Sequence, residues 1–74
     1  MVSKMRYFYE YKYKRNCKVN GHNLENIIIR DNKIILKGVD IMPTYYDEEY
    51  HYWTQTLDMN EIEYLKIEPM KEVE

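Results

Sequence analysis

The residues of this chain that could do chemistry are few, and their spacing decides what they can do. Cys17 is the single cysteine and His22 the nearest imidazole. A thiolate nucleophile needs a base or a cationic neighbour that lowers its pKa. Pairing of Cys17 with Leu24 in a hairpin makes it instead a small buried hydrophobe. Asp47, Glu48, Glu49 and His51 offer oxygen and nitrogen ligands, yet they match neither a calcium-binding loop nor a His-Glu-x-x-His helix, and consecutive carboxylates do not converge on one ion. The only serine is Ser3, in the first few residues, and no glycine-rich phosphate loop is present. With no nucleophile, base and orienting group in a testable arrangement, the chain reads as a non-enzyme without metal or cofactor.

Two groups of residues suit binding. Tyr45, Tyr46, Asp47, Glu48 and Glu49 follow Thr44 as an acidic, aromatic stretch just after Pro43. Loops of this kind are where recognition residues concentrate, and tyrosine gives large contact area at low entropic cost. The second group, Lys12, Lys14, Arg15 and Lys18, overlaps and follows the end of the run Tyr7, Tyr9, Tyr11 and Tyr13. Basic residues between aromatics suit single-stranded nucleic acid, whose bases stack on rings beside neutralised phosphates. Alternation counts against that use: Met5, Tyr7, Tyr9, Tyr11 and Tyr13 point one way in an extended chain, and Arg6, Phe8, Glu10, Lys12 and Lys14 the other. Rings and charges then occupy opposite faces, as expected of a tyrosine face packed on the sheet or on a partner.

The elements that position these groups are strands. Alanine is absent, while Val, Ile, Thr and the aromatics make up 26 of 74 residues, so β formers dominate and the best helix former is missing. The clearest element is Asn26 to Gly38, where Ile29 faces Ile34, Ile28 faces Ile35 and Ile27 faces Leu36 across Asp31-Asn32. Because Arg30 would directly oppose Lys33, the turn is expected to open into a four-residue loop in which they diverge. Asn20-Gly21 is the strongest short turn signal, which pairs Val19 with His22, Cys17 with Leu24, Tyr13 with Ile28 and Tyr11 with Arg30. A third strand can run on through Val39 to Met42 before Pro43. Tyr50 to Met59 alternates as a fourth, with Trp53 as its core anchor. For Ile62 to Glu68, a strand partnered by Leu57 to Met59 competes with a short helical turn capped by Asp58 with Glu61 in the reciprocal position. The alternation of Leu65 and Ile67 with Tyr64 and Lys66 favours the strand.

The expected fold is all-β, about five antiparallel strands as a strongly bent sheet or a small, partly open barrel. Residues 1–74 form one small domain, with 1–4 and 70–74 frayed. No apolar run approaches the roughly 20 residues that span a bilayer, and no leader is evident, so the expected location is the cytoplasm. Lys, Asn, Ile and Tyr supply 31 of 74 residues, a bias that suits an AT-rich source such as a low-GC bacterium, a phage or another mobile element. Charge is segregated: residues 1–39 hold nine Lys or Arg against three Asp or Glu (+6), and residues 40–74 hold two against ten (−8), which sums to the net −2. The functional expectation is a small protein-binding module, an inhibitor or adaptor acting through the acidic aromatic surface of residues 45–49. Its partner would be a protein, such as a basic nucleic-acid-binding protein. Nucleic-acid binding by the basic N-terminal strand is the alternative, opposed by the acidic second half. Because a core this small supplies little net stability, a homodimer formed through the first strand is also expected.

Overall fold

The computed structural model describes residues 5–70, and expectations for 1–4 and 71–74 fall outside them. Met70 is held in place, its N–H donating to Arg6 O at 2.9 Å. The chain forms five strands, β1 (Tyr7–Tyr13), β2 (Lys18–Arg30), β3 (Lys33–Pro43), β4 (Glu48–Asp58) and β5 (Ile62–Pro69). All pairings are antiparallel and the sheet order is β4-β3-β2-β1-β5. Residues 62–69 are strand, so the helical alternative at this end is set aside.

The isoleucine hairpin has the expected register, with Ile27, Ile28 and Ile29 opposite Leu36, Ile35 and Ile34. Its turn does not open. Asp31 and Asn32 adopt φ of 50° and 61°, and Arg30 stays paired with Lys33. Two left-handed residues match the twist of the flanking strands. The like-charge contact is exposed to water, and Lys33 turns to Asp58, with Nζ 3.3 Å from Oδ2.

The first hairpin differs from expectation. Its turn spans Lys14 to Cys17, with Asn16 N–H donating to Tyr13 O, and Asn20 and Gly21 lie inside β2. Tyr11 is opposite Val19, Tyr9 opposite Gly21 and Tyr7 opposite Leu24, so every pair predicted from an Asn20-Gly21 turn is displaced. Neither glycine has positive φ. Gly21 serves packing instead: a Cβ there would stand 2.6 Å from Tyr9 Cζ, so the Tyr9 ring occupies the side-chain space that glycine leaves free. With the turn moved, Cys17 is exposed and not the buried hydrophobe expected.

β2 bends where it changes partners. Asn23 has φ 64°, and pairing slips on both sides of it, between Tyr7 and Tyr9 against β1 and between Leu24 and Asn26 against β3. Such bulges increase local twist and turn a strand from one wall of a sheet to another. Curvature brings the inner faces of β1 and β4 together, and the core forms from Tyr9, Tyr11, Leu24, Ile34, Leu36 and Leu57, with Trp53, Ile62, Leu65 and Ile67 packed against it. The tyrosine face of β1 is therefore core. Trp53 joins that core partly buried.

β5 pairs with β1, not with the end of β4 as expected. That choice places Leu65 and Ile67 beside Tyr11 and Tyr9, completing the wall that faces β4. It also makes β1 an inner strand, which removes the unpaired edge on which first-strand dimerisation was expected. The sheet is open between its edges β4 and β5 but pinned at one end. Met59 N–H donates to Asn32 O, Glu61 N–H to Asp58 O, and Lys14 N–H to Glu61 O, so this connection links the turns of both hairpins. Among the described residues no helix is long and apolar enough to cross a membrane.

Candidate functional site: an acidic aromatic ribbon

Pairing between β2 and β3 ends at Leu24 and Gly38, whereas β3 and β4 stay paired out to Pro43 and Glu48. Beyond Gly38 the sheet is only two strands wide. Residues 39–43 and 48–52 thus form a ribbon about 16 Å long, at the usual rise per residue, carrying the 44–47 loop at its tip. Pro43 is compatible with this place because it and Glu48 are not a hydrogen-bonded pair, so its missing N–H would face the side on which pairing with β2 has already ended.

The tip is built by Thr44 and Asp47. Thr44 N–H and Oγ1–H both donate to Asp47 O, at 2.7 and 2.8 Å, and Asp47 N–H donates to Thr44 Oγ1 at 3.0 Å. Asp47 Oδ1 in turn accepts Glu48 N–H at 2.8 Å. These bonds hold the backbone while Tyr45 and Tyr46 project outward, 91 % and 93 % exposed, with ring centroids 4.8 Å apart in an edge-to-face arrangement. Along the ribbon, Tyr50 O–H donates to Glu48 Oε2 on one face, and His51 Nε2 lies 3.1 Å from Glu49 Oε2 on the other. The structure thus brings all five predicted residues, Tyr45, Tyr46, Asp47, Glu48 and Glu49, to one protruding tip.

Met42, Tyr50 and Tyr52 extend this surface, Tyr52 being 77 % exposed. Alternation put Tyr50 and Tyr52 on one strand face without showing that the face would be uncovered. A readable sign was available: no Lys or Arg occurs between Lys37 and Lys66, while seven Asp or Glu do. Among the described residues, no Lys or Arg lies within ion-pair distance of Asp40, Asp47, Glu48 or Glu49.

The alternative basic residues stand elsewhere. Lys12 and Lys18 are direct cross-strand partners, and Lys14 and Arg15 lie in the β1–β2 turn, so the four do cluster. Acidic residues of β5 interleave with them. Lys12 Nζ is 2.9 Å from Glu63 Oε2, and Tyr64 O–H donates to Glu10 Oε2 at 2.8 Å, a bond that raises the Tyr64 pKa. A shallow groove of about 480 Å³ crosses the same three strands, lined by Phe8, Glu10, Asn20, His22, Lys66 and Glu68. Its charges are mixed, so it offers no continuous basic track for phosphates. No known protein family matches this chain, and neither a curated protein nor a solved structure does.

Proposed function

We propose that this chain is a non-enzymatic protein-binding module, an inhibitor or adaptor, that captures a basic protein surface with its β3–β4 ribbon. One observation carries the reading: two almost fully exposed tyrosines sit on a tip pinned by Thr44 and Asp47, beside carboxylates that no Lys or Arg among the described residues neutralises. Exposed aromatic pairs are costly to leave in water and serve as contact anchors. Unneutralised carboxylates on a ribbon steer a cationic partner and repel nucleic acid. A partner that itself binds nucleic acid suits this surface, since its phosphate-binding side is basic.

The test is capture from the source cells on immobilised protein, with and without nuclease, alongside the variant Asp47→Lys/Glu48→Lys/Glu49→Lys. A partner retained after nuclease by the parent and lost by the variant supports the proposal. Tight, salt-sensitive binding of purified single-stranded or duplex DNA or RNA, abolished by reversing Lys12, Lys14 and Arg15, would replace it with the nucleic-acid reading.

A further inference from the structure

β4 is a sheet edge along its whole length, and hydrogen bonding at its two ends fixes which of its backbone groups are free. Thr44 N–H donates to Asp47 O at the tip, and Met59 N–H donates to Asn32 O at the base. In an antiparallel ladder, mutually bonded pairs alternate with pairs whose N–H and C=O groups point away from each other. The register is continuous from Lys33–Asp58 to Pro43–Glu48, so one phase holds throughout. Glu49, His51, Trp53, Gln55 and Leu57 therefore bond β3. Glu48, Tyr50, Tyr52, Thr54 and Thr56 direct their N–H and C=O groups outward, where no backbone partner is found among the described residues.

Edges of this length are normally guarded by lysine, proline, a bulge or a covering element. β4 contains neither Lys nor Pro, and its pairing with β3 has no bulge. Its only charges before Asp58 are Glu48 and Glu49, with His51 beside them. We infer that the outer edge of β4 accepts an extended, Lys- or Arg-bearing segment of the partner as a sixth strand. Main-chain bonds to the even-numbered residues would supply affinity, and alternate basic side chains would meet the acidic ribbon. Charge selects this occupant over a second copy of the chain, because the β4 edge of a second copy carries no Lys or Arg to set against Glu48 and Glu49. The inference rests on the ribbon being the binding surface, and adds the mode and the chemistry of the partner.

The probe is a synthetic peptide about ten residues long, the length of a long strand, alternating lysine with valine and threonine. Thr54→Pro removes an outward N–H without touching a β3 bond, a position at which an edge strand tolerates proline. It is expected to weaken peptide binding roughly tenfold or more. In the unmodified protein, where folding is not in question, amide exchange at Tyr50, Tyr52 and Thr54 is expected to slow when peptide is added, with little change at Glu49 and His51. Loss of binding on reversing Asp47, Glu48 and Glu49, with undiminished binding by folded Thr54→Pro and no slowing at those amides, overturns strand addition and leaves the ribbon reading intact. Binding that survives both changes overturns both readings. A concentration-dependent dimer in sedimentation, abolished by Thr54→Pro, would show that a second copy is the occupant and would also overturn the inference.

Discussion

The indole of Trp53 lies over Gly38, its direct cross-strand partner, so closely that a Cβ on Gly38 would come 2.6 Å from Trp53 Cε2 and would also meet the backbone oxygen of Asn23. The ring therefore fills glycine's empty side-chain position and continues to Tyr9, 5.7 Å away between centroids, which covers Gly21 in the same way. Two glycines and two rings join β1 to β4 across the interior. Gly38→Ala is expected to cost about 3 kcal/mol, the upper part of the range for overpacking, since backbone as well as ring must shift. Trp53→Ala is expected to cost about 3 kcal/mol by leaving a void. Because both act on one contact, the double variant should lose clearly less than the sum in urea unfolding, and strict additivity would refute the coupling.

Gln55 is the polar counterpart of this junction. Its Nε2 donates to Tyr9 Oη at 2.8 Å, and its Oε1 accepts Tyr11 O–H at 2.7 Å, so one side chain on β4 holds two nearly buried tyrosines of β1. Gln55→Leu leaves both hydroxyls without this partner and should destabilise by about 2 kcal/mol. Tyr11→Phe in the Gln55→Leu background should recover part of that loss. Chemical denaturation of the three proteins checks the order of stability.

Asp58 is expected to contribute to the acid limb of the stability curve, and Tyr11 to the alkaline limb. The Asn60 N–H first, and then Lys33, hold the Asp58 carboxyl below the ordinary aspartate range. A lowered folded pKa contributes stability that is complete above the unfolded value, about 3.9, and is lost as pH falls through the folded value. Asp58→Asn should therefore flatten the acid limb of a plot of melting temperature against pH, and parallel curves would contradict this. Burial, reinforced by Tyr13 and Tyr9, raises the Tyr11 pKa. That contribution is complete below the unfolded tyrosine value, about 10, and disappears as pH rises through the folded one, so Tyr11→Phe should flatten the alkaline limb.

What was legible in the sequence was whatever alternation and local turn chemistry decide. The Ile27–Leu36 register, the prolonged third strand, the gathering of the β1 tyrosines on one face and the exposed acidic tip all follow from period two and from Pro43, whereas that the tyrosine face is core had to come from the bend of the sheet. The misreadings of the first hairpin share one cause. Asn20-Gly21 has the composition of a turn, but Gly21 is there because the ring of Tyr9 needs its space, and no local rule distinguishes glycine as hinge from glycine as socket. Moving that turn exposed Cys17 and shifted every β1 partner. The pairing of β5 with β1 was likewise invisible, because it depends on the bend at Asn23 and on closure through Asn32, Met59, Glu61 and Lys14, contacts made between distant turns.

The ribbon tip separates recognition from folding. Tyr45 and Tyr46 touch each other and project beyond the core, and the bonds that shape the tip come from Thr44 and Asp47. Tyr45→Ser/Tyr46→Ser should accordingly leave unfolding free energy within about 0.5 kcal/mol of the parent, as for surface changes that remove no fold-forming contact. If these rings anchor a partner, the same change should lower affinity a hundredfold or so, about 2.7 kcal/mol, mostly through faster dissociation. Reversing Glu48 and Glu49, whose side chains make none of the bonds that shape the tip, should act differently, slowing association and weakening its dependence on salt, because exposed charges steer encounter more than they hold the complex. Surface-bound kinetics of both variants against the captured partner, at two salt concentrations, tests this division. Equal loss of association rate in the two variants would mean that the tyrosines do not form a separate anchor.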